Sequence, residues 1–373
     1  MTKVNTARQV VQKDLDYICT NLEQEFSDMA GKNLLITGGA GFLGYYLIQS
    51  VLHWNQKVDH QKSIRLTIYD NYVRGVPAWL TVIKDDPHLT LVTHDITHPL
   101  PGDMGDFQYI IHAASIASPS YYRKYPIETM DANVNGLRIL LDYCKRQQEN
   151  QKEIKGFLFY SSSEVYGDPQ PDNVPTPESY YGYVSCTGPR ACYDESKRFG
   201  ETLCVNFARA YDLPIKIARP FNNYGPGLKI TDKRVIPDFA NDTFKAQDIV
   251  MYSDGTPRRT FCYIADAIVG YYKILVRGAQ GEAYNIGVEQ PEISMAELAD
   301  LIVSIARERF DYQGKVVYKQ SRESEYLLDN PNRRCPNIDK AKTELGYSPN
   351  IALQEGLLNS LVWYSDNLDS EEA

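Results

Sequence analysis

The chain has no long apolar run, no paired-cysteine motif and no surplus of positive charge. No stretch of the 373 residues approaches 18 consecutive apolar positions, the length at which a membrane span is considered. The opening residues carry no apolar segment of the signal-peptide type. Cysteine is present seven times (Cys19, Cys144, Cys186, Cys192, Cys204, Cys262 and Cys335), an odd number without a CxxC pair, and the six histidines are scattered without ligand spacing. These absences predict a reduced, cytoplasmic protein with no membrane association, no disulfide framework and no metal site. Lys and Arg total 39 against 48 Asp and Glu, a net charge of −9. Such a balance repels a nucleic-acid backbone and excludes nucleic acid as a partner. A small anion remains possible where arginines gather locally. Hydrophobic residues at 43% support a substantial core, and the length predicts one large domain with a smaller one.

What is present is an alternation. Residues 8–28 place Val11, Leu15, Ile18, Leu22 and Phe26 at helical spacing among charges, which predicts an amphipathic helical extension over residues 1–30. It either packs on its own domain or contacts another subunit. Then follow β-rich runs: NLLIT (33–37), IRLTIYD (64–70), LTLVTHD (89–95), QYIIHAA (108–114), GFLFYSS (156–162) and PIKIARP (214–220). Helical patterns at 41–54, 127–147 and 191–211 separate several of them. This order predicts a doubly wound α/β fold with a parallel sheet covered on both faces. Beyond residue 221, Pro and Gly punctuate shorter strands (YGPG, SDGTP), with helices at 265–277, 295–308 and 353–366. Residues 31–220 are read as the first domain, with later segments returning to it. Residues 221–373 are read mainly as a smaller C-terminal α/β substrate domain.

GGAGFLG (38–44) follows the first strand and opens a helix, with glycines at Gly38, Gly41 and Gly44. A bare backbone there can approach a pyrophosphate, and the helix N-terminus offers free N–H groups; this is the Rossmann-type arrangement for a dinucleotide. Asp70 ends the next strand, where an acid accepts from a ribose 2′-hydroxyl and repels a 2′-phosphate. That favours NAD over NADP, although Arg74 lies nearby. Asp95, at the end of the third strand, either caps an adenine amino group or is a turn residue. In YDESK (193–197), Tyr193 and Lys197 share a helix face. An ammonium beside the phenol is expected to lower its pKa and make it a usable base. Ser162, in SSSE at a strand's carboxyl end, faces the same crevice.

TGGAGFLG, HAAS, SSSEVYG, YxxxK and FNNYGPG, in this order over residues 32–366, resemble the extended short-chain dehydrogenase/reductase family of nucleotide-sugar epimerases, dehydratases and decarboxylases. ASPSYYRKYPI (117–127), GPRACYDESKR (188–198), RPFNNYGPG (219–227) and DNPNRRCPNIDKAKTELGY (329–347) are most similar to its UDP-glucuronate-decarboxylating branch. The resemblance implies NAD as a recycled cofactor, held by Gly38, Gly41, Phe42, Leu43, Gly44, Asp70, Asp95, Ala113, Tyr193 and Lys197. It implies Tyr193 as base, with Lys197 and Ser162 assisting, and Ser163 and Glu164 as further catalytic positions. It carries substrate contacts onto Ser118, Tyr122, Asn222, Arg234, Arg259 and Arg334. A UDP-linked sugar is the implied partner, and a homodimer through the helices after 127 and 191 the implied assembly. A dehydratase has an acid where Ser163 stands, and a 4-epimerase usually lacks Glu164; both remain as alternatives. A non-catalytic NAD-binding regulator is a third, which an intact Tyr193, Lys197 and Ser162 oppose. Ser196 replaces the family's usual glycine, and HAASIA stands in place of HLASPA, with Ile116 close to the sugar's position.

Overall fold

The computed structural model describes residues 6–319 and 331–368. The first two residues of the 329–347 stretch and the outer ends of the predicted extension and substrate domain lie outside them. Seven strands form one sheet: β1 (Asn33–Thr37), β2 (Arg65–Asp70), β3 (Leu89–Thr93), β4 (Tyr109–His112), β5 (Gly156–Tyr160), β6 (Ile215–Pro220) and a seventh from later in the chain (Ala283–Ile286). The order is seventh–β6–β5–β4–β1–β2–β3 and every pairing is parallel. Leu34, Leu35 and Ile36 in β1 and Phe157, Leu158 and Phe159 in β5 are fully buried. Each such side chain contributes roughly 1.5–3 kcal/mol when removed from water. The strand order reverses direction between β1 and β4, which opens a crevice at the carboxyl ends of the strands, where α/β proteins bind ligands.

The helical extension is two helices, α1 (Ala7–Asn21) and α2 (Glu23–Asp28). The sequence pattern reads as one continuous helix. The break falls at Leu22, whose N–H turns back to Cys19 O at 3.3 Å. It re-aims α2 so that Glu25 pairs with Lys273 and Arg277 and Phe26 packs edge-on against Tyr272. Leu15, Ile18, Leu22 and Phe26 of the predicted stripe are buried within this chain, Val11 is half-buried and its neighbour Val10 is buried, so the extension packs on its own molecule.

Helix α3 (Phe42–Asn55) follows β1, and α4 (Ala78–Ile83) precedes β3. After β4 come α5 (Pro119–Lys124), α6 (Pro126–Met130) and α7 (Leu137–Glu149), with a π-helical turn at Asp131–Gly136 inside the region read as a single helix. A Cβ on Gly136 would lie 2.8 Å from the Ile96 side chain. The widened turn also seats buried Asn133, which donates to Ser196 Oγ at 2.9 Å. Such π turns recur at functional sites. Helix α8 (Ala191–Tyr211) spans the predicted range and ends on Asp212 in the left-handed conformation.

Beyond β6, short strands β7 (Asn223–Tyr224), β8 (Ile249–Met251), β9 (Arg258–Arg259) and β10 (Cys262–Tyr263) alternate with α9 (Val235–Phe244) and α10 (Ile264–Arg277). The chain then returns to the main sheet through Ala283–Ile286, which becomes β11 and pairs with β6. It goes on through β12 (Ile293–Ser294), α11 (Met295–Arg309), β13 (Val316–Tyr318), β14 (Arg333–Arg334), α12 (Asp339–Leu345) and α13 (Leu353–Asn367). No helix of the described residues is long and apolar enough to cross a membrane.

Candidate active site

The loop after β1 is shaped for close approach. Gly38 has φ +73°, and a Cβ there would lie 2.5 Å from Ala114 Cα. Gly44 sits in α3, where a Cβ would fall 1.9 Å from Gly39 O, so the helix can rest on the loop only without a side chain. Gly41 is the N-cap of α3 and offers no side-chain cap, which leaves the helix N–H groups facing the cleft. Asp70 Oδ2 accepts from Ala40 N at 2.9 Å and Oδ1 from Tyr72 N at 2.8 Å. Each oxygen keeps a lone pair, so Asp70 braces the loop and still offers an acceptor. Burial raises its carboxyl, and the two N–H bonds pull it back. Asp95 closes its own turn through Thr97 and accepts from Asn71 Nδ2 at 2.9 Å; it is a turn residue that also lines the cleft.

That cleft, about 1190 Å³, is walled by both halves of the chain. Every predicted site residue lines it except Gly44, which lies behind the loop. The glycine cradle, the open helix end and the acid after β2 fit NAD.

At its centre Tyr193 is buried, with the Ser162 hydroxyl beside it in the same cleft. Lys197 Nζ donates to Tyr160 O at 2.8 Å and stands 5.7 Å from the Tyr193 ring. The expectation that the ammonium depresses the phenol is corrected here. Burial dominates and pushes Tyr193 up to about 12, while Ser162 and then Arg234 act to lower it. Burial likewise takes Lys197 down to about 7. Neither group keeps enough water to favour its charged form, and the ammonium is spent on a carbonyl. Ser196, the family departure, accepts from Asn133 and donates to Tyr193 O at 2.9 Å.

A second cluster adjoins the first. Arg334 grips Glu164 with two bonds of 2.6 Å, and Arg190 Nη2 donates to the same carboxylate. Burial favours the neutral acid, but the two guanidiniums outweigh it and hold Glu164 below the ordinary carboxylate range. Asp194 lies 3.6 Å from Arg190 Nε; burial and the Glu164 charge raise its carboxyl. Arg259 is buried and bonded to the Arg258 and Pro331 carbonyls. Burial and then the Arg334 charge take it down to about 9. A cation so disfavoured is set to receive an anion. Ser163 lies buried beside Glu164.

The substrate positions fall into place around this pair of clusters. Asn222, at φ +41°, donates to Thr260 O at 2.8 Å. Ser118 Oγ donates to Asp232 O at 2.8 Å. Arg234 precedes α9, pairs with Asp232 at 3.0 Å and has its guanidinium 6.0 Å from the Phe42 ring centroid across the cleft. Tyr122 stacks on Tyr193 with ring centroids 5.0 Å apart and planes 12° apart. Its hydroxyl is buried without a hydrogen-bond partner among the described residues. Leu43 and Ala113 line the cofactor end.

Sequence reasoning missed Arg190, whose guanidinium covers the Tyr122 ring at 5.8 Å while binding Glu164. The available signal was PRACYDESK, where Arg190 and Asp194 stand four apart at the start of the helix that bears Tyr193.

The chain belongs to the NAD dependent epimerase/dehydratase family, whose sequence model matches residues 34–287. Among its relatives it is 36% identical, over 324 residues, to UDP-glucuronic acid decarboxylase 6 of Arabidopsis thaliana, covering 87% of this chain and 86% of that one. To UDP-glucuronic acid decarboxylase 1 of Xenopus tropicalis it is 31% identical over 365 residues, covering 94% of this chain and 79% of the relative. Solved structures that share the fold include the following two. One is UDP-glucose 4-epimerase of Thermotoga maritima, with UDP-glucose (TM-score 0.75, 22% identity, 90% of this chain and 99% of that one). The other is dTDP-glucose 4,6-dehydratase of Bacillus anthracis in complex with NAD (TM-score 0.73, 22% identity, 91% and 98%).

Proposed function

We propose that the protein decarboxylates UDP-glucuronate to UDP-xylose with a recycled NAD. The observation that carries this reading over dehydration is the state of Glu164. Two arginines hold it ionised, and its neighbour is Ser163 rather than an acid. A dehydratase needs a proton donor to expel a hydroxyl, and the Ser163–Glu164 pair offers none. Loss of CO2 from a β-keto acid needs none, because the leaving group departs neutral and the bonding electrons pass into an enolate.

NAD, which the Gly38–Gly41 loop and Asp70 would hold, would supply reversible hydride transfer at C4 of the sugar. In its phenolate form, which burial makes the minor one, Tyr193 Oη takes the C4 hydroxyl proton and gives it back at the end. Ser162 lies beside that phenol in the cleft and acts to lower its pKa, and Lys197 fixes the helix to the strand end through Tyr160 O. Arg259 meets the substrate's anionic end, and Asn222 and Arg234 align the nucleotide. Glu164, with Arg190 and Arg334, orients the ring and a water that gives the enolate its proton at C5. Tyr122 covers the Tyr193 ring and keeps water away from it.

The assay is incubation with UDP-glucuronate and NAD+, read by mass spectrometry for UDP-xylose and CO2. UDP-galacturonate as sole product would establish a 4-epimerase instead. A 4-keto-6-deoxy product from UDP-glucose or dTDP-glucose at a comparable rate would establish a dehydratase. We also read the protein as a homodimer, because Ile127 on α6 and Phe199 on α8 leave apolar side chains 60% and 50% exposed on the two predicted pairing helices. Seven free cysteines support a reducing, cytoplasmic setting.

A further inference from the structure

Asp14, in the middle of α1, is a carboxylate only 2% exposed and far in sequence from the cleft. Its Oδ2 accepts two hydroxyls at once, from Tyr46 at 2.5 Å and from Tyr263 at 2.7 Å. Neither donor lines the ligand cleft, but the segment that carries each one does: Phe42 and Leu43 at the start of α3, Arg259 and Phe261 ahead of Tyr263.

Tyr46 stands two residues beyond Gly44 in α3, the helix whose N-terminus forms the cofactor cradle. Its neighbour Tyr45 packs edge-on against Trp79 and Trp363 at 5.2 and 5.9 Å, and the backbone of Gly227 rests on it. Tyr263 ends the stretch that begins at Arg259. That stretch is tied to Asn222, which donates to Thr260 O and accepts from Cys262 N. A displacement of Tyr263 therefore reaches Asn222 through Cys262 N and Arg259 along four peptide bonds, and a displacement of Tyr46 reaches the glycine loop within one helical turn.

A carboxylate is a poor choice if packing alone were needed there. An apolar side chain would bury at no electrostatic cost, and buried ionic or polar groups are a weak source of net stability. What a shared acceptor supplies is geometry: the two hydroxyls must meet at a single oxygen. The rest of the extension already provides attachment. Tyr17 donates to Asp266 at 2.6 Å, Glu25 pairs with Lys273 and Arg277, and Ile18 and Phe26 are buried.

We infer that Asp14 is a positioning residue: it pins the cofactor helix to the substrate strand, so that the extension sets how NAD and the sugar nucleotide face one another. This rests on the reading of the cleft as a site for NAD and a UDP-linked sugar.

The test uses the full chain loaded with NAD+ and titrated with UDP by calorimetry. It compares wild type with Tyr46→Phe, Tyr263→Phe and the double variant. Each removes one hydroxyl and keeps the ring, so the core stays filled. Severing either arm cuts the same connection. Each single variant is therefore expected to weaken UDP by about five- to tenfold, the lower range of couplings between sites. The double variant is expected to fall within about twofold of the weaker single, because effects that share one partner do not add. Glu25→Gln serves as a control: it breaks a buried ion pair at the other end of the extension, lowers the melting temperature and is expected to leave UDP affinity at the wild-type value. The inference is overturned if the phenylalanine variants melt earlier but bind UDP as wild type does, if their effects on UDP add, or if Glu25→Gln weakens UDP equally. A wild-type protein that binds NAD+ and UDP yet leaves UDP-glucuronate intact would overturn the decarboxylase reading and not the role of Asp14.

Discussion

At the scale of single residues, the site works by removing charge from water. Tyr193 and Lys197 are both driven toward their neutral forms by burial, and the Ser162 hydroxyl is the first group that opposes this at the phenol. Tyr193→Phe keeps the ring and its stacking on Tyr122 but loses the proton acceptor. Turnover should fall by about 10²–10⁴-fold, measured at steady state, while the NAD(H) content of the purified protein stays as in wild type. Arg190 carries a different burden, since it neutralises Glu164 and reaches Asp194. Arg190→Met strands part of that buried negative charge. A loss of about 3–5 kcal/mol is the usual result of removing one partner of a buried pair, visible as a lowered denaturant midpoint. The Glu164–Arg334 bond was beyond sequence reasoning, because the partners stand 170 residues apart and a chain order says nothing about which arginine meets which acid. The tyrosine, the lysine and the serine were legible because helix and strand periodicity alone brings them to one crevice. The net effect on the phenol was not, because it depends on how much water the finished site excludes.

At the scale of elements, patterns that depend on neighbours in sequence were readable and those that depend on neighbours in space were not. The strand after strand of β1 to β6 and the span of α8 follow directly from periodicity. The interruption at Leu22 and the π turn at Asp131–Gly136 do not, because docking of Glu25 on α10 and of Asn133 on Ser196 decides them. The return of β11 to the sheet is a tertiary choice of the same sort. The glycine loop offers the sharpest element-level test. Gly44→Ala places a methyl 1.9 Å from Gly39 O, a backbone atom that cannot swing aside. Helix α3 must lift away from the loop, so the variant should purify with little NAD(H) by cofactor release and absorbance, whereas an alanine at exposed Gly102, which meets nothing within 4 Å, should retain it.

At the scale of the whole molecule, two predictions follow from surfaces and from linkage. Apolar side chains on α6 and α8 should bring the protein together as a dimer in sedimentation at micromolar concentration; a charged replacement, Phe199→Glu, should shift it toward monomer with little loss of thermal stability. Asp14 should impose a pH slope. Burial raises its carboxyl from 3.8 to about 7, against the hydroxyls of Tyr46 and Tyr263 and the Lys13 charge, with Glu355 adding to the rise. Between those values the folded protein holds a proton that the unfolded chain has released. Stability from this group is therefore present below about pH 4 and is lost as pH rises through about 7. Asp14→Asn should flatten that part of the stability–pH curve by an amount on the order of 2–4 kcal/mol across the window, read from urea midpoints. The packing of α1 against α13 has a consequence for biosynthesis. Ala7 N donates to Asp366 and Lys13 pairs with Glu355, so α1 closes on a helix translated more than 330 residues after it. Until residues 353–367 have left the ribosome, α1 lacks these two partners, and nascent chains halted before that point should be cut by protease within residues 7–28 faster than the finished chain.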